Sequence, residues 1–137
     1  MLTQDHINTA KQAVSHISDL NDIAEKFYER LFAKSPELRK MFGEDMSDQA
    51  KKLAAILQVA FENLDQVDSL VPTLEDMGAK HATYGVTPDH YGLVAAALIE
   101  TISSDLGDAF DERAAESFNA VLGTVANVMI SGSMKAA

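Results

Sequence analysis

The sequence predicts an all-α protein, and three observations carry that reading. Leu53, Ile56, Leu57, Ala60, Phe61 and Leu64 recur at i, i+3, i+4, i+7, i+8 and i+11, the spacing of one apolar stripe on a helix. Phe118, Val121, Leu122, Val125, Val128 and Met129 repeat the pattern in the last third. No segment sustains a period of two with β-branched enrichment, and the chain is rich in Ala, Leu, Glu and Lys, which favour helix.

The elements follow from this periodicity and from the punctuation between them. Helices are expected near 3–19, 21–34, 36–41, 48–65, 73–84, 88–105 and 111–131. Ser35-Pro36 and Thr87-Pro88 each offer a capping oxygen followed by proline at the first helical position. "FGEDMSDQ" at 42–49 reads as a turn whose Ser47 or Asp48 caps the next helix. Gly85 fits a left-handed glycine closing the helix before it. With no internal repeat, low-complexity tract or Pro/Gly/Ser-rich linker, residues 1–137 are expected to form one domain.

Composition narrows the function classes. A net charge of −10, with the 11 Lys and Arg scattered along the chain, repels phosphate backbones, so no nucleic-acid partner is expected. The longest apolar run, "GLVAAALI" at 92–99, is too short for a membrane span, and the first residues lack a secretory pattern; the expected location is the cytoplasm. The chain has no cysteine, which removes disulfides, a thiol nucleophile, iron–sulfur clusters and thiolate-held haem. A metal would have to be held by His, carboxylate, Tyr or Met.

The histidines then become the question. Projected as a helix, residues 73–84 place Leu74, Met77, His81 and Tyr84 on one face, which turns His81 toward the core. His90 falls in the first turn of the next helix and is expected to be solvated, as are His6 and His16. Helix phase alone leaves two readings of His81 open: a core histidine satisfied by a carbonyl or hydroxyl, the commoner case, or a metal ligand. A lone inward imidazole can serve a planar iron cofactor when the opposite wall supplies an apolar slot and a hydrogen-bond donor. Tyr28, Phe42, Gln49 and Leu53 are candidates for that wall, with Gln49 and Leu53 four apart on one helix face.

In this order the residues resemble the globins, in particular bacterial single-domain haemoglobins and the haem domain of flavohaemoglobins, and the likeness runs along nearly the whole chain. "FYERLFAKSPELRKMF" looks like the family's distal segment, which implies that Tyr28 is the distal tyrosine and Phe42 the corner phenylalanine against haem. "DQAKKL" implies that Gln49 is the distal glutamine and Leu53 its neighbour one turn on. "LVPTLEDMGAKHATYGVTPDHYGLV" is similar to the proximal segment. It implies that His81 ligates the iron, that Lys80 reaches a haem propionate, that Tyr91 stands beside the proximal histidine and that Val94 lines the proximal pocket. The resemblance therefore implies a globin fold, a three-over-three helical sandwich around non-covalent haem b.

The family also implies a function and a departure from it. Tyr28 and Gln49 would donate hydrogen bonds to a partly anionic bound gas, which favours oxygen over carbon monoxide. Reversible oxygen binding is the expected role, with nitric oxide dioxygenation through a separate NAD(P)H-dependent reductase as the enzymatic alternative and gas sensing third. A haem-free interaction module would need His81 to lack a pocket. Flavohaemoglobins pair the proximal histidine and tyrosine with a late glutamate, and an ungapped extension places Ser133 there. Loss of that carboxylate weakens electron donation to iron, so little peroxidase-like activity is expected. Phe118 stands where many relatives carry tryptophan.

Overall fold

The computed structural model describes residues 3–42, 45–83 and 85–136, and among these it contains helices and no strand. Tyr84, which the face pattern placed beside His81, lies outside the described residues. Six α-helices run in order: α1 Gln4–Val14, α2 Leu20–Lys34, α3 Met46–Glu62, α4 Val71–Thr83, α5 Pro88–Leu106 and α6 Glu112–Ala136. Short 3-10 segments at Pro36–Met41, Leu64–Leu70 and Gly107–Ala109 join them.

Differences from the sequence expectation concern helix ends, and each has a local cause. The first helix stops at Val14 instead of continuing to 19. The Ser15 hydroxyl donates to the Gln12 carbonyl at 2.5 Å, and Asp19 is taken as the cap of α2, accepting from the Asp22 N–H at 3.1 Å. Neither Ser47 nor Asp48 caps α3. Asp45 does so, accepting the Asp48 N–H at 3.1 Å, which starts the helix two residues early. Ser35 makes no side-chain cap, because the segment after it is a 3-10 turn.

Thr87 is the N-cap of α5, with Pro88 after it, and the contact is returned from within the helix. The Thr87 N–H donates to Nδ1 of His90, three residues on, at 3.0 Å, so His90 is half-buried and secures the start of α5. The same arrangement opens α1, where the Thr3 N–H donates to Nδ1 of His6 at 3.2 Å and the His6 N–H to the Thr3 hydroxyl.

The core forms where apolar stripes from four helices meet. Ile23, Phe27 and Leu31 of α2 repeat every fourth residue and pack with Leu57 and Phe61 of α3, Leu98 and Ile102 of α5 and Phe118 of α6. Phe118 is 1% exposed, with the Phe61 and Phe110 rings at 6.0 and 5.4 Å. Neighbouring helices make an arc in the order α3, α2, α5, α6, α4, with α1 laid on α6. Its two ends, α3 and α4, do not pack extensively on one another. Leu74 of α4 and Met129 of α6 are buried outside the main core cluster, so α4 joins the molecule through a separate contact with α6.

Candidate functional site

On α3 the stripe read from the sequence divides in two. Ala50, Leu57 and Phe61 are buried on one side, whereas Gln49, Leu53 and Ile56 form an adjacent edge that is only partly covered, Ile56 being 43% exposed. On α5 the apolar Val94, one turn beyond Tyr91, is 36% exposed. Ile56 and Val94 are thus exposed apolar side chains on two different helices.

Gln49 reaches from this edge to α2. Its amide Nε2 donates to the Tyr28 hydroxyl at 3.3 Å. Tyr28 is buried among rings, with Phe27 at 5.0 Å, Phe42 at 5.4 Å and Phe32 stacked at 5.9 Å. Burial pushes the Tyr28 phenol above its ordinary range, and the hydrogen bond from Gln49 pulls it back by less. The phenol is therefore a neutral group whose oxygen already accepts one bond and whose proton is free to be donated.

Phe42 also meets Phe32 at 5.4 Å, and Arg39 secures the corner by donating to the Phe42 carbonyl at 3.3 Å while lying 5.7 Å from the Phe32 ring centre. Sequence reasoning missed Phe32. Its spacing of four from Tyr28 on α2 was the signal that could have found it.

On α4, His81 is half-buried and its Nδ1 lies 2.6 Å from the Met77 carbonyl. A carbonyl only accepts, so Nδ1 carries a proton; in the neutral ring Nε2 then keeps its lone pair, and it has no partner among the described residues. The backbone at His81 is held too: Val86 N–H donates to the His81 carbonyl at 3.1 Å and Gly85 N–H to Ala82 at 3.1 Å. This double closure requires a left-handed residue at Gly85, which has φ +92°. Both the side chain and the main chain of His81 are thereby oriented.

Tyr91 has the one buried side-chain polar atom without a hydrogen bond among the described residues. Burial pushes its phenol above the ordinary range. No carboxylate accepts from it, and the Ser133 hydroxyl donates to Ile130 within its own helix at 2.6 Å. Lys80 is 68% exposed and pairs with Asp76, one turn back, at 3.4 Å. The described residues contain no cluster of three or more His, Asp or Glu that could form a metal site by themselves. A groove of about 470 Å³ beside Arg30, Glu100, Ser104 and Glu112 includes none of the predicted residues.

The donor set fits a planar, largely apolar group that brings its own metal. It offers one oriented imidazole with a free lone pair, a buried and unpartnered hydroxyl, a neutral phenol backed by an amide, and open aliphatic surface on α3 and α5.

Comparison with known proteins bears on the same residues. The chain is 28% identical over 134 residues to a flavohemoprotein of Vibrio cholerae, covering 95% of this chain and 34% of the relative. A flavohemoprotein of Bacillus subtilis is 32% identical over 113 residues, covering 79% of this chain and 28% of the relative. The chain thus spans about a third of the length of these relatives. A solved bacterial globin from Campylobacter jejuni superposes with a TM-score of 0.85 at 25% identity, covering 97% of both chains. The Globin family model matches residues 25–129, which take in Tyr28, Gln49, His81 and Tyr91. An all-α arc of helices, a structural match over nearly its whole length and a family match over most of the sequence make this chain a member of the globin family.

Proposed function

We propose that the protein is a haem protein that binds oxygen reversibly, with His81 as the iron ligand. Globin membership and similarity to flavohemoproteins support haem-based gas binding. The observation that carries the proposal is the state of His81: Nδ1–H engaged by Met77 and Nε2 left as a free donor.

Bound haem supplies an iron centre with one coordination position open to a diatomic gas such as oxygen, nitric oxide or carbon monoxide. The chain's residues do the rest. His81 offers Nε2 while the Met77 carbonyl fixes its tautomer and ring plane. Leu53, Ile56 and Val94 provide apolar surface for the macrocycle, and Phe42 closes its corner. Lys80, exposed on α4 beside His81 and paired with Asp76, is the cation this reading assigns to a carboxylate at the edge of the group. Tyr28 donates its phenolic proton to the polar end of a bound gas, and Gln49 holds the Tyr28 oxygen so that this proton is the one presented.

The Tyr91 hydroxyl has no carboxylate partner, which argues against peroxidase-like electron push from the proximal side. Oxygen binding leads because turnover of nitric oxide would need an electron donor for the iron in addition to this chain's residues. Dioxygenation with an NAD(P)H-dependent reductase on a separate chain is the second reading.

Purified protein supplied with haem should show a sharp Soret band that His81→Ala abolishes. Absence of the band in the wild-type protein would overturn the proposal. Nitric oxide added to the oxygenated form, with and without NADH and a flavin reductase, distinguishes the two readings: sustained consumption identifies the enzyme.

A further inference from the structure

The helix that carries His81 is fastened to α6 by two glycines facing each other's backbone. A Cβ built on Gly78 of α4 would lie 1.8 Å from the Met129 carbonyl oxygen of α6. A Cβ on Gly132 of α6 would lie 2.1 Å from the Glu75 carbonyl oxygen of α4. The two contacts are reciprocal. Glu75 and Gly78 are three apart on one helix, Met129 and Gly132 three apart on the other, and the pairing runs antiparallel. Each glycine faces a backbone carbonyl of the other helix at a spacing that no side chain can enter.

Both glycines lie inside helices, where glycine is intrinsically poorer than alanine. What they permit is backbone approach. Of the helices, α4 packs extensively only on α6; its other support is the 3-10 segment Leu64–Leu70. His81 follows Gly78 by less than one turn, so the depth of the imidazole is set by how closely α4 lies on α6.

We infer that Gly78 and Gly132 are positioning residues: the close crossing they permit fixes how far His81 stands from the iron. The inference rests on the proposed haem ligation by His81. An added methyl at either site must drive the helices apart by about an ångström before the contact with the carbonyl becomes tolerable, since the neighbour is backbone and cannot swing aside. His81 moves with α4. Gly123, exposed on the same α6 with nothing within 4 Å of an added Cβ, is the matched control.

The test compares Gly78→Ala, Gly132→Ala and Gly123→Ala in the full chain. Resonance Raman of the haem-loaded ferrous protein reads the iron–histidine stretch, and transfer of haem to an acceptor protein reads its loss. Gly78→Ala and Gly132→Ala are each expected to shift or broaden the iron–histidine band and to speed haem loss at least tenfold, with Gly123→Ala unchanged. Hydrogen exchange of the haem-free proteins is expected to show lost protection confined to α4. An unchanged band and unchanged haem loss in folded Gly78→Ala and Gly132→Ala overturn the inference. So does loss of protection in all helices together, which would make the pair part of the general core. If the wild-type chain binds no haem, the functional proposal fails, and exchange confined to α4 still decides whether the glycines set that helix in place.

Discussion

Gln49 donates its side-chain N–H to the Tyr28 hydroxyl at 3.3 Å, across the contact between α3 and α2. The sequence expectation had both residues donating to the gas. In the structure they stand in series, the Gln49 amide bonded to the buried Tyr28 hydroxyl, which leaves the phenolic proton as the one the proposed function assigns to the gas. Tyr28→Phe should therefore raise the oxygen dissociation rate by about ten- to a hundredfold, the equivalent of a hydrogen bond of roughly 1.5–3 kcal/mol to a partly charged acceptor. Gln49→Leu should raise it by less. Stopped-flow displacement of oxygen measures both, and a larger effect from Gln49→Leu would reverse the assigned order.

The buried phenol also makes stability depend on alkaline pH. Burial, the larger influence, raises the Tyr28 pKa above its ordinary value near 10.0 in the fold. The folded state then holds this proton more tightly than the unfolded chain, so the stabilisation is fully present below about pH 10 and is lost as pH rises through the higher folded value. Thermal midpoints of the haem-free protein should fall above about pH 10, and Tyr28→Phe should flatten the fall. Identical slopes for the two proteins would show that this phenol is not the group responsible.

Asp45 caps α3 one turn before Gln49, and its carbonyl also receives the Gln49 N–H at 3.5 Å. Asp45→Ala should cost about 1 kcal/mol of stability, the usual value of an N-cap. Because the first turn of α3 carries Gln49, the same variant should release oxygen modestly faster. Urea denaturation checks the first effect and stopped-flow the second.

At the other extreme, Phe118→Ala removes a ring that is 1% exposed and shared by two aromatic neighbours. The cavity should cost about 3–5 kcal/mol. Since Phe118 takes no part in the gas site, loaded protein should keep the wild-type oxygen dissociation rate below its lowered melting point.

The fold was legible because helix periodicity is local: three or four turns suffice to show an apolar face, and proline and glycine mark the ends. The candidate site residues could be named from the sequence only as an ordered set. His81 alone stood between a packed histidine and a ligand, and its bond to Met77 satisfies half of each reading, engaging one nitrogen while leaving the other free. What the sequence could not show was relation across helices. Nothing local tells Ile56 from Leu57, yet one is open and the other buried, because that depends on which helix packs alongside. Thr87 is the N-cap that the Thr-Pro pair announced, but the reach of His90 back to the Thr87 N–H depends on side-chain geometry that the sequence does not state. Phe32 and the glycine crossing were hidden for the same reason, since their partners lie on elements whose angle the sequence does not state.

The arc of helices ends in α3 on one side and α4 on the other, and these ends are joined by few contacts of their own. Lifting the segment from Leu64 onward would draw Leu64 out of the main core and part the Lys11–Asp65 ion pair as well as break the α4–α6 crossing, the most extensive helix contact among the described residues. Beyond that segment α4 hangs on one helix seam, apart from the aromatic core, so whatever shifts the seam shifts His81 while the core can stay as it is.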